Sequence, residues 1–237
     1  MGQTCGKMVE KLTAWLLHRI VAPTVVRFGE AIMNPLPIDT IAPAVLGPES
    51  AGMLLTPEEF DAVTDYDDQF RYELIRGVLV VTPIPAEAEA APNDELGAIL
   101  RKYRHENPQG GVIDETLPER YIRTSSGRRR ADRVIWTGLG RRPDPAVDVP
   151  TIAIEFVSAS RRDRSRDYVE KRREYQKAGV VEHWIVDRFH RNMTVLRHGS
   201  DGTSEFIVRE HETYKTLLLP GFELPLAQLL AVADRWV

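Results

Sequence analysis

The chain has 237 residues, 43% hydrophobic and 28% charged, enough to bury the core of one large domain or of a domain with an arm. Its net charge of −4 excludes a protein that is basic throughout, so affinity for a polyanion would have to come from local clustering. The single cysteine, Cys5, excludes an intramolecular disulfide, and no apolar run approaches the roughly 20 residues of a membrane span. Glu10, Lys11, His18 and Arg19 break any apolar run near the start, and position 6 is Gly, not the Ser or Thr of a myristoylation signal. A cytoplasmic protein is expected.

Residues 1–52 read as a helical arm, Met8 to Met33, and then a linker rich in proline (Pro35, Pro37, Pro43, Pro48). The main domain is expected over 53–237. Thr56-Pro57-Glu58-Glu59 has the chemistry of a capping box that opens a helix. Tyr72 to Val81 predicts a hairpin turning at Arg76-Gly77. Asn93 is expected to cap a helix with the stripe Leu96, Ile99, Leu100, Tyr103. Strands are predicted near Val112–Ile113, Arg120–Arg123, Arg130–Trp136 and Thr151–Val157, then a helix from Asp163 to Ala178 stopped by Gly179. The strand Val181–Asp187 follows. The chain then closes with a β-meander (Thr194–Arg197, Glu205–Arg209, Thr216–Leu219) and a short helix. This order predicts an α/β or α+β fold with a mixed central sheet flanked by helices.

Three charges fall where the pattern reads as buried. Asp132 interrupts Ala131-Asp132-Arg133-Val134-Ile135-Trp136, and Glu155 interrupts Ile152-Ala153-Ile154-Glu155-Phe156-Val157. A carboxylate inside such a strand is costly unless it is paired or binds a metal. Lys171 shares the helical stripe of Tyr168, Tyr175 and Ala178, which is expected to face the sheet. An Asp, a Glu and a Lys on one sheet edge point to metal-assisted phosphodiester chemistry. The oxygens of Asp132, Glu155 and the Phe156 carbonyl suit a hard cation, Mg²⁺ or Mn²⁺. Two arginine-rich regions flank these residues, and Arg128, Arg129, Arg130, Arg161 and Arg162 are the expected contacts to a DNA backbone. Tyr175, Trp184 and Asp187 read as structural. His183 and His190 lack the spacing and the cysteine partners of a zinc site.

The pieces Leu55-Thr56-Pro57-Glu58-Glu59-Phe60, Tyr72-Glu73-Leu74-Ile75-Arg76-Gly77, Arg130-Ala131-Asp132, Ile154-Glu155-Phe156-Val157-Ser158, Glu170-Lys171-Arg172-Arg173-Glu174-Tyr175 and Trp184-Ile185-Val186-Asp187 occur in one order. In that order the chain resembles the PD-(D/E)XK nuclease superfamily and, within it, the Uma-two-type restriction endonucleases. The resemblance implies a restriction-endonuclease-like fold, metal carboxylates at Glu73, Asp132 and Glu155, and a catalytic lysine at Lys171. Ala131 stands where the family has proline. Val157 stands where a lysine is expected, so Lys171 would supply the ammonium from the next helix.

The leading expectation is an Mg²⁺-dependent DNA endonuclease, with homodimerisation compatible with it. The alternatives are a catalytically silent nucleic-acid- or partner-binding module on the same fold, and a metal phosphohydrolase acting on a small phosphate. Carboxylates locked to arginines would mark the former, and a narrow closed pocket the latter.

Overall fold

The computed structural model describes residues 45–125, 127–159 and 169–236. The expected N-terminal arm up to residue 44, Arg161, Arg162, Tyr168 and the first turns of the helix expected from Asp163 lie outside the described residues. No helix among the described residues is long and apolar enough to cross a membrane.

The first helix, α1 (Pro57–Ala62), starts at the capping box. Thr56 Oγ1 accepts from the Glu59 N–H at 3.1 Å, and the Glu59 carboxylate accepts from the Thr56 N–H at 2.7 Å. Strands β1 (Phe70–Ile75) and β2 (Val78–Pro83) form the expected hairpin, with Arg76 and Gly77 both left-handed (φ 52 and 80) in its two-residue turn. Packing also takes in residues ahead of Met53. Leu46 is buried beside Leu55, Phe60, Tyr72, Leu74 and Leu79, and its carbonyl accepts from the Tyr72 hydroxyl at 2.8 Å.

Helix α2 (Glu87–Glu106) begins six residues before Asn93, so Asn93 is a buried interior residue and not a cap. Pro92 did not stop the helix. Its ring removes one N–H, and the helix tolerates that single loss with five residues already wound ahead of it. The two short strands expected near Val112 and Arg120 are one strand, β3 (Ile113–Thr124), which pairs along its length with β4 (Gly127–Thr137). Next come β5 (Ile152–Phe156), α3 (Lys171–Ala178), β6 (Glu182–Asp187), β7 (Asn192–Gly199) and β8 (Gly202–Arg209). Gly179 ends α3 at φ 100, a left-handed position suited to glycine. Thr216–Leu219 is the turn between β9 (Thr213–Thr216) and β10 (Leu219–Pro225), a separate two-stranded ribbon; α4 (Leu226–Asp234) follows.

The main sheet runs β2-β1-β4-β5-β6-β7-β8, with β3 on the other edge of β4; β5 and β6 are its parallel pair. Strand alternation sorts the core. Ile135, Ile152, Ile154, Phe156 and Trp184 pack with α2, α4 and the ribbon. Val134, Trp136 and Ala153 pack with Tyr175 of α3. Asp132 shares parity with Val134 and Trp136, and Glu155 with Ala153. Both acids therefore belong to the α3 face.

Two packing details carry testable consequences. Arg133 is buried, gives hydrogen bonds to the Asn93 side chain and carbonyl at 2.7 and 3.0 Å, and loses charge preference through burial, so that its pKa falls to about 10. A Cβ on Gly97 would lie 2.5 Å from the Arg133 guanidinium nitrogen that donates to the Asn93 carbonyl, so relieving the clash would disturb that bond. Gly97→Ala should destabilise by about 1–3 kcal/mol in urea melts, even though alanine is the better helix former by about 1 kcal/mol. A stabilised variant would show that Arg133 is not held in place.

His183 is fully buried, edge-on to Tyr175 at 4.9 Å, and neither ring nitrogen has a hydrogen-bond partner among the described residues. Burial, and then the charge of Lys171, push its pKa well below the usual range. The folded state thus binds fewer protons than the unfolded state. Stability is complete above the ordinary histidine range and is lost as pH falls below about 6.5, at up to about 1.4 kcal/mol per pH unit. His183→Phe keeps the ring contact. Its advantage over wild type should grow by about 1 kcal/mol between urea melts at pH 7.5 and 5.5; an advantage independent of pH would contradict this account.

Candidate active site

The strands leave a break in the sheet. On the edge of β4 away from β3, β1 pairs only at Leu74–Arg128, and β5 pairs only from Arg133–Ile154 to Ile135–Ile152. From Arg129 to Asp132 that edge has no strand beside it among the described residues. Side chains complete the pairing instead. Glu73 of β1 accepts from the Arg130 N–H at 2.7 Å, and the Lys171 ammonium donates to the Arg130 carbonyl at 3.0 Å. Asp132 accepts from the Phe156 N–H at 2.6 Å, which ties β5 to β4 beyond their last pair. A cavity of about 420 Å³ opens over this break, walled by Glu73, Asp132, Glu155, Phe156 and Lys171, with Arg71 and Glu89 among its other walls.

Each acid already has partners. The Glu155 carboxylate is 2% exposed and lies between the Lys171 ammonium (2.7 Å) and the Tyr175 hydroxyl (2.6 Å). Tyr175 keeps its proton for this bond because burial, and then the charges of Glu155 and Glu73, drive its pKa far up. Glu73 is 3.8 Å from Lys171 and 3.9 Å from Arg129. Asp132 is ion-paired to Arg71 at 3.0 Å, and Arg71 also contacts Glu119. Burial opposes the charge on Arg71, but Asp132 and Glu119 outweigh it and keep the guanidinium ionised.

The backbone of Asp132 is fixed from behind. Asn93 donates to its carbonyl at 2.8 Å, where β3 departs from extended geometry at Glu119 (φ 55). Glu119 then turns its carboxylate between Arg71 and Arg130. Burial raises the pKa of Glu119, and the nearby charge of Asp132 adds to it; the same two causes raise Glu89 on α2.

The four residues expected from the sequence, Glu73, Asp132, Glu155 and Lys171, thus reach one cavity. Arg71 and Glu89 line it too, and Glu119 and Tyr175 hold Arg71 and Glu155 in place, without any of the four having been anticipated as site residues. The alternating strand around Arg71 and the stripe holding Tyr175 carry the only sequence signal for any of them. The expected DNA contacts need correction. Arg128 is 6% exposed and paired to Asp61 at 2.7 Å; Arg129 is 0% exposed and paired to Glu174 at 2.9 Å. Both sides of β4 are covered, so these arginines fold inward to acids distant in sequence. Arg130 is partly exposed on the cavity wall and paired to Glu119 at 2.8 Å.

Among the described residues, no three Asp, Glu, His or Cys side chains form a ready cage for a metal ion. The donors present are all oxygen, which fits a hard divalent cation better than zinc. A carboxylate has about four lone-pair positions, so Asp132 and Glu155 can each accept further partners. In an extended strand the N–H and C=O of one residue point the same way, so the Phe156 carbonyl follows its N–H toward Asp132. The adjustment a metal would require is the parting of Asp132 from Arg71.

A search of curated proteins gives no match. A crystal structure from Anabaena variabilis, titled a "putative nuclease belonging to DUF820", superposes with a TM-score of 0.58 at 14% identity, covering 76% of this chain and 99% of that one. At that identity the likeness speaks for the fold, which is the restriction-endonuclease-like mixed sheet expected from the sequence. The family Uma2, described as "Putative restriction endonuclease", matches residues 57–227, more than half of the sequence. The chain belongs to the Uma2 family of restriction-endonuclease-like nucleases.

Proposed function

We propose that this cavity hydrolyses phosphodiester bonds in DNA with the help of Mg²⁺, for which Mn²⁺ can substitute. The observation that carries the reading is that Asp132 and Glu155 share one face of the sheet and one cavity, with the Lys171 ammonium 2.7 Å from Glu155. Asp132, Glu155 and the Phe156 carbonyl would hold the ion, with Glu73 beside them. The bound ion supplies an activated water and neutralises charge on the phosphate. Lys171 orients the attacking water or meets charge that develops on the phosphate. Tyr175 fixes the Glu155 carboxylate, and Arg71, released by Asp132, would keep Glu119 as its partner. A second cavity of about 310 Å³ shares Arg71, Glu89, Arg130 and Asp132, so the groove continues past Asp132. A groove that long favours a polymer over a small phosphate. The setting would be the cytoplasm, and a homodimer would bring two such cavities to the two strands.

One observation favours a second reading. The Asp132–Arg71 ion pair is what a catalytically silent binding module would also contain. Supercoiled plasmid incubated with Mg²⁺ or Mn²⁺, with chelator as control, separates the two. Metal-dependent nicking supports the nuclease; plasmid binding without nicking at any metal concentration supports the silent module.

A further inference from the structure

With Arg128 and Arg129 buried, the nucleic-acid backbone needs other cations. A separate cavity of about 440 Å³ is walled by Arg76, Arg123, Arg173 and Lys177, together with Glu170 and Glu174. Three elements deliver the cations: the β1–β2 turn, the end of β3 and the outer face of α3. The acids do not cancel them. Glu174 is spent on Arg129 at 2.9 Å, which leaves Glu170 against Arg76, Arg173 and Lys177. Arg123 shares Asp61 with Arg128. Arg76, Arg173 and Lys177 are exposed and have no hydrogen-bond or ion-pair partner among the described residues.

Arg76 adds a second observation. It occupies a left-handed turn position (φ 52) where Asn, Asp or Gly is the favoured choice, at a cost of about 1 kcal/mol. An arginine there sacrifices turn stability and gains a cation over this cavity. Such a departure from local preference points to function more often than to packing. The cavity also adjoins the acid site: α3 places Lys171 in one and Arg173 in the other, and Arg129 pairs with both Glu73 and Glu174.

We infer that Arg76, Arg123, Arg173 and Lys177 form a phosphate-binding subsite that grips the nucleic-acid backbone beside the cleavage cavity. The inference rests on the nuclease reading but has its own test. Fluorescence anisotropy with a labelled duplex of arbitrary sequence, in chelator so that nothing is cut, gives affinity against KCl concentration. Arg173→Ala with Lys177→Ala should weaken binding roughly ten-fold and flatten the log–log salt slope by about 1.8, two phosphate contacts' worth. Arg76→Asn should flatten the slope by about 0.9 while its melting temperature holds or rises, a pair of changes that a merely structural role cannot produce. Arg209→Ala with Lys215→Ala, exposed cations elsewhere on the surface, should change the slope far less. Variants of the subsite that bind and titrate like wild type, with plasmid nicking by the wild type intact, would overturn this inference alone. A wild type with no salt-dependent affinity for duplex would overturn it together with the DNA reading.

Discussion

Asp132→Asn is expected to reduce metal-dependent nicking roughly 10³-fold, the scale of losing one preorganised charge at a reacting centre. The substitution keeps the size of the side chain and removes the negative charge. Its amide oxygen can still accept from the Phe156 N–H, now at 2.6 Å from the carboxylate, so the tie between β4 and β5 survives. Arg71 keeps Glu119 as a partner. The variant should therefore fold, and circular dichroism melts run beside the nicking assay would confirm it. Glu155→Gln should lose activity on the same scale, with a larger stability change because that carboxylate is the more deeply buried of the two. Nicking within ten-fold of wild type in a folded Asp132→Asn protein would remove Asp132 from the site, and the proposed chemistry with it.

The largest stability effect is expected at Lys171. Lys171 is 5% exposed, and its ammonium is the cationic partner of a Glu155 carboxylate that water barely reaches. In Lys171→Met the thioether fills most of the space, yet the carboxylate loses its ammonium while the Tyr175 hydroxyl stays at 2.6 Å, and the Arg130 carbonyl loses the Lys171 donor. Stranding a buried charge costs about 3–5 kcal/mol, a large share of the 5–15 kcal/mol that holds a typical domain together. The double variant Glu155→Gln/Lys171→Met removes both charges and should recover at least about 2 kcal/mol of that loss in urea denaturation. Single and double variants that melt alike would show that the pair is solvated in solution and contributes nothing to the fold.

The legible part of the site was the part that violated a local rule. Asp132 and Glu155 stood out because each broke an apolar strand, and Lys171 because it occupied an inward-facing stripe; Glu73 followed only from the resemblance. Arg71 and Glu119 sit in strands whose polar residues alternate normally, so nothing local separates them from a solvated face. Glu119 reaches Arg71 and Arg130 through a left-handed backbone that its sequence neighbours do not announce. Arg128 and Arg129 misled because a run of arginines reads as surface. Their acid partners, Asp61 and Glu174, are far away in sequence, and only the packing of α1 and α3 against β4 brings them near. For α2, Asn93 has the right chemistry for a cap, but its amide is used to fasten α2 to β4. Element type was set by periodicity; the boundaries expected at Asn93, Arg120 and Thr216 were decided otherwise by tertiary contacts that periodicity does not encode.

The missing neighbour along β4 has a consequence for how this lineage can change. Glu73 stands where a neighbouring strand's carbonyl would accept from the Arg130 N–H, and Lys171 where its amide would donate to the Arg130 carbonyl. A descendant that gave up cutting would still be obliged to keep an acid and a base at those two positions, because unbonded main-chain groups inside the molecule are costly. Retention of these residues across relatives is thus equally expected of working enzymes and of retired ones. Whether Asp132 survives, with its charge free to leave Arg71, is the better witness to continued catalysis.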